Sequence, residues 1–131
     1  MKSVPAIIAI ASFLLVTFLH LWKIPDLPDQ LENIHFADKI IHAIMFAALS
    51  FILLRCLAFY DLPPTTSILI VILFLPLYAV TMEFLQDKAT LYRRFEWEDV
   101  WADAIGIVTG LWLSMQRRLV FFFEHKIWKS K

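Results

Sequence analysis

Apolar residues run from Val4 to Trp22, nineteen positions without a formal charge. A helix rises ~1.5 Å per residue, so this run matches the hydrocarbon thickness of a bilayer and predicts a first membrane helix. Lys2 ahead of the run would also suit a secretory signal. The far end, Leu19-His20-Leu21-Trp22-Lys23, offers no small-x-small cleavage site, which favours an uncleaved span. From Lys23 to Lys39 the pattern breaks: Pro25 and Pro28 stop a helix, and Asp26, Asp29 and Glu32 make an acidic loop. Apolar character returns from Ile40 to Tyr60, with His42 near one end and Arg55 near the other, where a long side chain reaches the headgroups. The short Asp61-Leu62-Pro63-Pro64 turn sends a third helix back antiparallel beside the second, as far as Gln86, with a kink expected at Pro76.

The fourth candidate is polar at its start. Glu98, Asp99 and Asp103 occupy its first turns, and only the twelve residues from Ala104 to Met115 are free of charge. Such a helix inserts poorly alone, so its polar beginning must face protein or water. Beyond it, Arg117, Arg118, Lys126, Lys129 and Lys131 are mixed with Val120, Phe121, Phe122, Phe123 and Trp128, which suits lying on an anionic membrane surface. Arg117, Arg118, Lys126 and Trp128 are the expected anchors. The pattern predicts an all-α membrane protein with a single domain over residues 1–131. Its four transmembrane helices, near 4–22, 40–60, 64–86 and 97–116, form an antiparallel bundle, and residues 117–131 form a basic amphipathic tail.

Composition narrows the chemistry. The 131 residues are 60% hydrophobic, with a mean hydropathy of +0.70, above the roughly half-apolar content of soluble domains. Twelve basic and twelve acidic residues cancel, so no overall charge invites nucleic acid. The lone Cys56 forms neither an internal disulfide nor a paired-cysteine metal site, and the two glycines, Gly106 and Gly110, are too few for a phosphate-cradling loop or a dinucleotide fingerprint. No cofactor is expected.

With four spans both termini share a side. The positive-inside bias puts Lys2, Arg55, Arg117, Arg118, Lys126, Lys129 and Lys131 in the cytoplasm, seven basic residues against five on the other side. Helix two then begins, helix three ends and helix four begins at the outer face. Asp38 and His42 share one helix face, Glu83 and Gln86 another, and Asp99 and Asp103 a third, so three polar faces aim at one volume. Gly106 and Gly110 continue the Asp99–Asp103 stripe and leave room for a neighbouring backbone, which assigns them to packing within the bundle. Glu83, Asp99 and Asp103 need partners or protons at the edge of the hydrocarbon. Arg93 or Arg94 is the nearest cation in sequence, one folding into the cluster and the other staying solvated. His20, His35 and His125 read as interfacial, without a role.

Together, Asp38-Lys39-x-x-His42 opening one helix, Glu83-x-x-Gln86 ending the next, and then Arg93, Asp99, Asp103, Gly106 and Gly110 resemble the VanZ-like family over roughly Ala37 to Leu113. The resemblance implies a small bacterial protein of the cytoplasmic membrane acting in the cell envelope; the namesake is linked to reduced susceptibility to the glycopeptide antibiotic teicoplanin. It selects Arg93 over Arg94, because the family pattern has an arginine about six residues before the first aspartate. At Asp103 this chain departs from the asparagine that many members carry, which adds a titratable group to the site.

Three roles remain open for Asp38, Lys39, His42, Glu83, Gln86, Arg93, Asp99 and Asp103. As a binding or accessory protein, the chain would hold a phosphate-bearing lipid head through Arg93, or a glycan or peptide through its carboxylates, with membrane lipids and a larger envelope complex as further partners. As a hydrolase or transferase on a lipid-linked or cell-wall precursor, it would use Glu83, Asp99, Asp103 and His42 for acid–base work, since it has no nucleophile elbow and no paired-histidine zinc motif. As a structural subunit, the same groups would only set helix register. Asp38, His42 and Glu83 are ligand types for a metal, but their spacing matches no recognised site, and none is expected.

Overall fold

The computed structural model describes residues 3–21, 32–89 and 94–116, with side chains from residue 37 in the second stretch. These residues form four helices: α1 (Val4–Leu21), α2 (Glu32–Phe59), α3 (Pro64–Ala89) and α4 (Trp97–Ser114), and no strand occurs among them. By length and composition, α1, α3 and the Ala37–Phe59 part of α2 are able to cross a membrane.

Helix α2 spans Glu32–Phe59, so residues 32–39, expected to belong to a loop running to Lys39, are helical. Charge marks where hydrocarbon gives way to water, whereas only a breaker stops a helix, and nothing after Pro28 is a breaker. The other boundaries lie within three residues of expectation. Pro76 sits inside α3, which continues through it to Ala89. At the α2–α3 turn, Asp61 takes a positive φ of 59°, a conformation that aspartate tolerates better than most residues. The expected anchors Arg117, Arg118, Lys126 and Trp128, and Arg93, lie outside the described residues.

Val16, Phe46, Leu49, Leu54, Val71, Leu75, Ala79, Ile107 and Leu111 form the main core, to which every helix contributes. Outward-facing residues are just as apolar, among them Ile10 and Leu14 on α1, Leu73 and Leu77 on α3, and Trp101, Ile105, Val108 and Trp112 on α4. An apolar exterior around an apolar interior suits lipid as solvent.

The most extensive contact joins α2 to α4. A Cβ on Gly106 would strike the carbonyl oxygen of Ala43, and one on Gly110 would strike that of Ala47 and come within 2.8 Å of the Ser50 Cβ. Only hydrogen fits at either place, so the two backbones approach closely. Along this seam the Ser50 hydroxyl donates to the Ile107 carbonyl at 3.0 Å. Pairings climb in step along α2 and α4, from Lys39 with Asp99 through Ala43 with Gly106 to Ala47 with Gly110. Between α1 and α3 they climb likewise, from Thr17 with Tyr78 (2.8 Å between hydroxyls) to His20 with Gln86.

Candidate functional site: a polar end to the helix assembly

The end of α1, the first membrane-length turns of α2, the end of α3 and the start of α4 gather at one place, and their polar groups meet there. Asp99 and Asp103 lie on the buried face of α4 with Ala102, Gly106 and Gly110, while Trp97, Trp101, Ile105 and Val108 point outward. The 3.6-residue period therefore separates a polar, small-residue face from a lipid-compatible one on a helix whose average composition hides the division.

Lys39 is the cation of the site among the described side chains. Its ammonium lies 3.0 Å from Asp99 Oδ1, 3.1 Å from Glu98 Oε2 and 3.3 Å from Glu96 Oε2. Asp99 is buried, Lys39 is partly exposed and Glu98 is largely exposed, so the Lys39–Asp99 pair is the one in which desolvation makes a lost partner costly. One turn further along α2, His42 Nδ1 is 3.1 Å from Asp103 Oδ1, and both side chains are almost fully buried. Asp103 Oδ2 is also buried, and it has no hydrogen-bond partner among the described residues.

Glu83 and Gln86, at the end of α3, act on other helices. Glu83 Oε1 accepts the backbone N–H of Glu96 at 2.9 Å, and Asp87 Oδ1 accepts that of Phe95 at 3.3 Å. Glu96, the residue preceding α4, makes no side-chain cap of its own. Glu83 thus places a carboxylate from α3 at the α4 N-terminus, where the aligned peptide dipoles favour negative charge, and Glu98 and Asp99 add to the effect. Gln86 Nε2 donates to the His20 carbonyl at 2.9 Å, satisfying a group in the last turn of α1.

His20, expected to be interfacial and without a role, is buried. Its ring packs edge-on against His42 with centroids 4.6 Å apart and lies near Phe46, and its Nδ1 is 3.2 Å from the Val16 carbonyl oxygen. The available signal was its position inside an otherwise apolar run, where a histidine is expensive unless it faces protein. Glu96, Glu98 and Asp87 were also missed: Glu96 lies in the irregular stretch before α4, which has no periodicity, and Asp87 and Glu98 lie in terminal helical turns whose partners come from other elements. Asp38 is half-buried on α2, and Arg94 is exposed. Two groups have donor atoms within 4.8 Å of one another: His20, His42 and Asp103, and Asp38, His42 and Asp99.

These features define a class: a small all-helical protein with three helices of membrane-crossing length and apolarity and a polar site buried at one end. A family model described as VanZ/LLP1 matches residues 3–122, and the chain belongs to that family. No curated protein and no solved structure matches it.

Proposed function

We propose that the protein is a multi-pass component of the bacterial cytoplasmic membrane, acting in the cell envelope as a binding or accessory protein. In this reading α4 is a fourth span, neighbouring helices alternate in direction, both termini are cytoplasmic and the polar site opens at the extracytoplasmic face. The parallel climb of pairings in α1–α3 and in α2–α4, together with the Ala9–Cys56 packing far from the His20–His42 contact, supports the alternation. The outward Trp101, Ile105, Val108 and Trp112 of α4 support its insertion despite the buried aspartates.

One observation carries the functional reading. In a molecule whose other buried polar side chains, among the described residues, are serines, ionisable and amide groups from all four helices converge on one buried cluster, and such groups are costly in a membrane unless used. Among the described residues, the site gathers the carboxylates of Asp38, Glu83, Glu96, Glu98, Asp99 and Asp103 but one ammonium, that of Lys39, already engaged by Glu96, Glu98 and Asp99. That balance favours hydroxyl- or amine-bearing chemistry, the glycan or peptide part of a lipid-linked or cell-wall precursor, over a bare phosphate.

The test offers a lipid-linked cell-wall precursor to protein purified in detergent and follows binding and product formation separately, with Glu83→Gln and Asp99→Asn alongside. Binding without turnover, weakened in folded variants, is the expected result. Turnover that disappears in folded variants would instead assign acid–base catalysis to the cluster. Unchanged behaviour with earlier melting would leave the cluster a purely architectural role. Orientation is checked with Thr65→Cys at the exposed start of α3, in a Cys56→Ala background. An impermeant thiol reagent should label it only after cells are permeabilised, and labelling of intact cells would move the site to the cytoplasmic side.

A further inference from the structure

We propose that His20, His42 and Asp103 form a binding site for one divalent transition-metal ion of the zinc class, with a coordination position left open. The inference is independent of what the protein binds or delivers, because it rests on three side chains and their surroundings.

The three residues come from α1, α2 and α4, far apart in sequence, and are 2%, 2% and 1% exposed. Their donor atoms lie within 4.8 Å of one another. Two donors on a tetrahedral zinc with bonds of 2.0–2.1 Å are ~3.4 Å apart. The His42–Asp103 pair, at 3.1 Å, is near that spacing, and the widest separation needs side-chain closure of about an ångström or a little more.

Ring orientation adds to this. The Val16 carbonyl can only accept, so the His20 Nδ1 beside it carries the proton, and the neutral ring bears its lone pair on Nε2. A metal-ligating histidine is typically held this way, by donation of its other ring N–H to a backbone carbonyl. An independent observation points to a ligand: Asp103 Oδ2 is buried and unpartnered among the described residues, which costs free energy unless something positive or protic meets it. Asp38 and Asp99 have carboxylate atoms within reach of the same His42, so the local field favours a cation.

Two imidazoles and one carboxylate suit zinc, cobalt, nickel, copper or iron rather than magnesium or calcium, which take oxygen donors. Three protein ligands leave a fourth position for water or for an oxygen of a bound molecule, the arrangement of a working site rather than a closed structural one.

The experiment uses the full chain in detergent, stripped with a chelator and then equilibrated with Zn²⁺ or Co²⁺. Metal content and the cobalt ligand-field spectrum are read together with the melting temperature. Close to one equivalent of Zn²⁺ per chain, a tetrahedral-type cobalt spectrum and a metal-dependent rise in melting temperature are expected. His20→Gln and Asp103→Asn, each checked for helical content and dispersity, should weaken binding at least tenfold, while a His35→Gln/His125→Gln variant keeps it. Substoichiometric metal in the wild-type chain would overturn the proposal without reference to any variant. Retention by a folded His20→Gln/Asp103→Asn double variant, or loss in the His35/His125 control, would do the same.

Discussion

The two ends of the helix assembly are held together by different means. At the end where α1 and α3 finish and α4 begins, helices are joined by directed polar contacts: Lys39 to Asp99, His42 to Asp103, Gln86 to the His20 carbonyl and Glu83 to the Glu96 amide. Toward the other end, Ala9 and Cys56 pack with Ile8, Ile52 and Phe59, and the Ser12 hydroxyl turns back onto its own helix at Ile8. Between the two, a series of rings links Phe13, Tyr78, Phe46, His20 and His42, edge-on except for the tilted Tyr78–Phe46 pair, so apolar packing passes directly into the polar cluster. Lipid does not drive apolar helices together as water does, and van der Waals fit alone can hold the apolar end. The polar end contains far more than fit requires, which is the physical ground for placing function there.

The contrast breaks most severely where the ends meet. Gly110→Val would drive side-chain carbon into the Ala47 carbonyl, and backbone cannot yield as a side chain can. A loss of about 3 kcal/mol or more is expected, read as a collapse of the melting transition in detergent. Next comes Lys39→Met, which leaves the buried Asp99 without its cation. Removing one partner of a buried pair costs several kcal/mol, and partial exposure of Lys39 reduces this to about 2 kcal/mol. A double-mutant cycle with Asp99→Leu should return much of that cost; simple additivity would show that the pair is not coupled.

Gln86→Leu removes the donor to the His20 carbonyl and should cost about 1 kcal/mol in the same melt. The smallest effect is expected at the apolar end, where Cys56→Ala removes one buried sulfur and should cost under about 1 kcal/mol. Gln86→Leu and Cys56→Ala act at opposite ends of the assembly, so their effects should add. Measurable coupling between them would mean that the two ends do not behave as separate regions.

Much of this division was legible before any coordinates. Val4 to Leu21 and Pro64 to Ala89 announce themselves by uninterrupted apolar length, because a bilayer imposes one thickness on whatever crosses it. The inward turn of Asp99, Asp103, Gly106 and Gly110 was equally readable, since helical periodicity puts them on one stripe whatever their partners. The start of α2 was not, because acidic residues look like a loop whether or not the helix continues through them.

The helical class, the approximate helix bounds and the residues that share a helix face can be read from the order of residues, because local periodicity and hydrocarbon thickness set them, and the resemblance to the family is carried by the motif residues themselves. That His20 meets His42 edge-on, that Lys39 draws in Glu96 and Glu98, and that Glu83 serves the start of α4 is settled when the helices pack. Those relations depend on the rotation and axial offset of one helix against another. For α4 against α2, both are set by where Gly106 and Gly110 let α4 settle against Ala43 and Ala47, a fit that no single helix encodes alone.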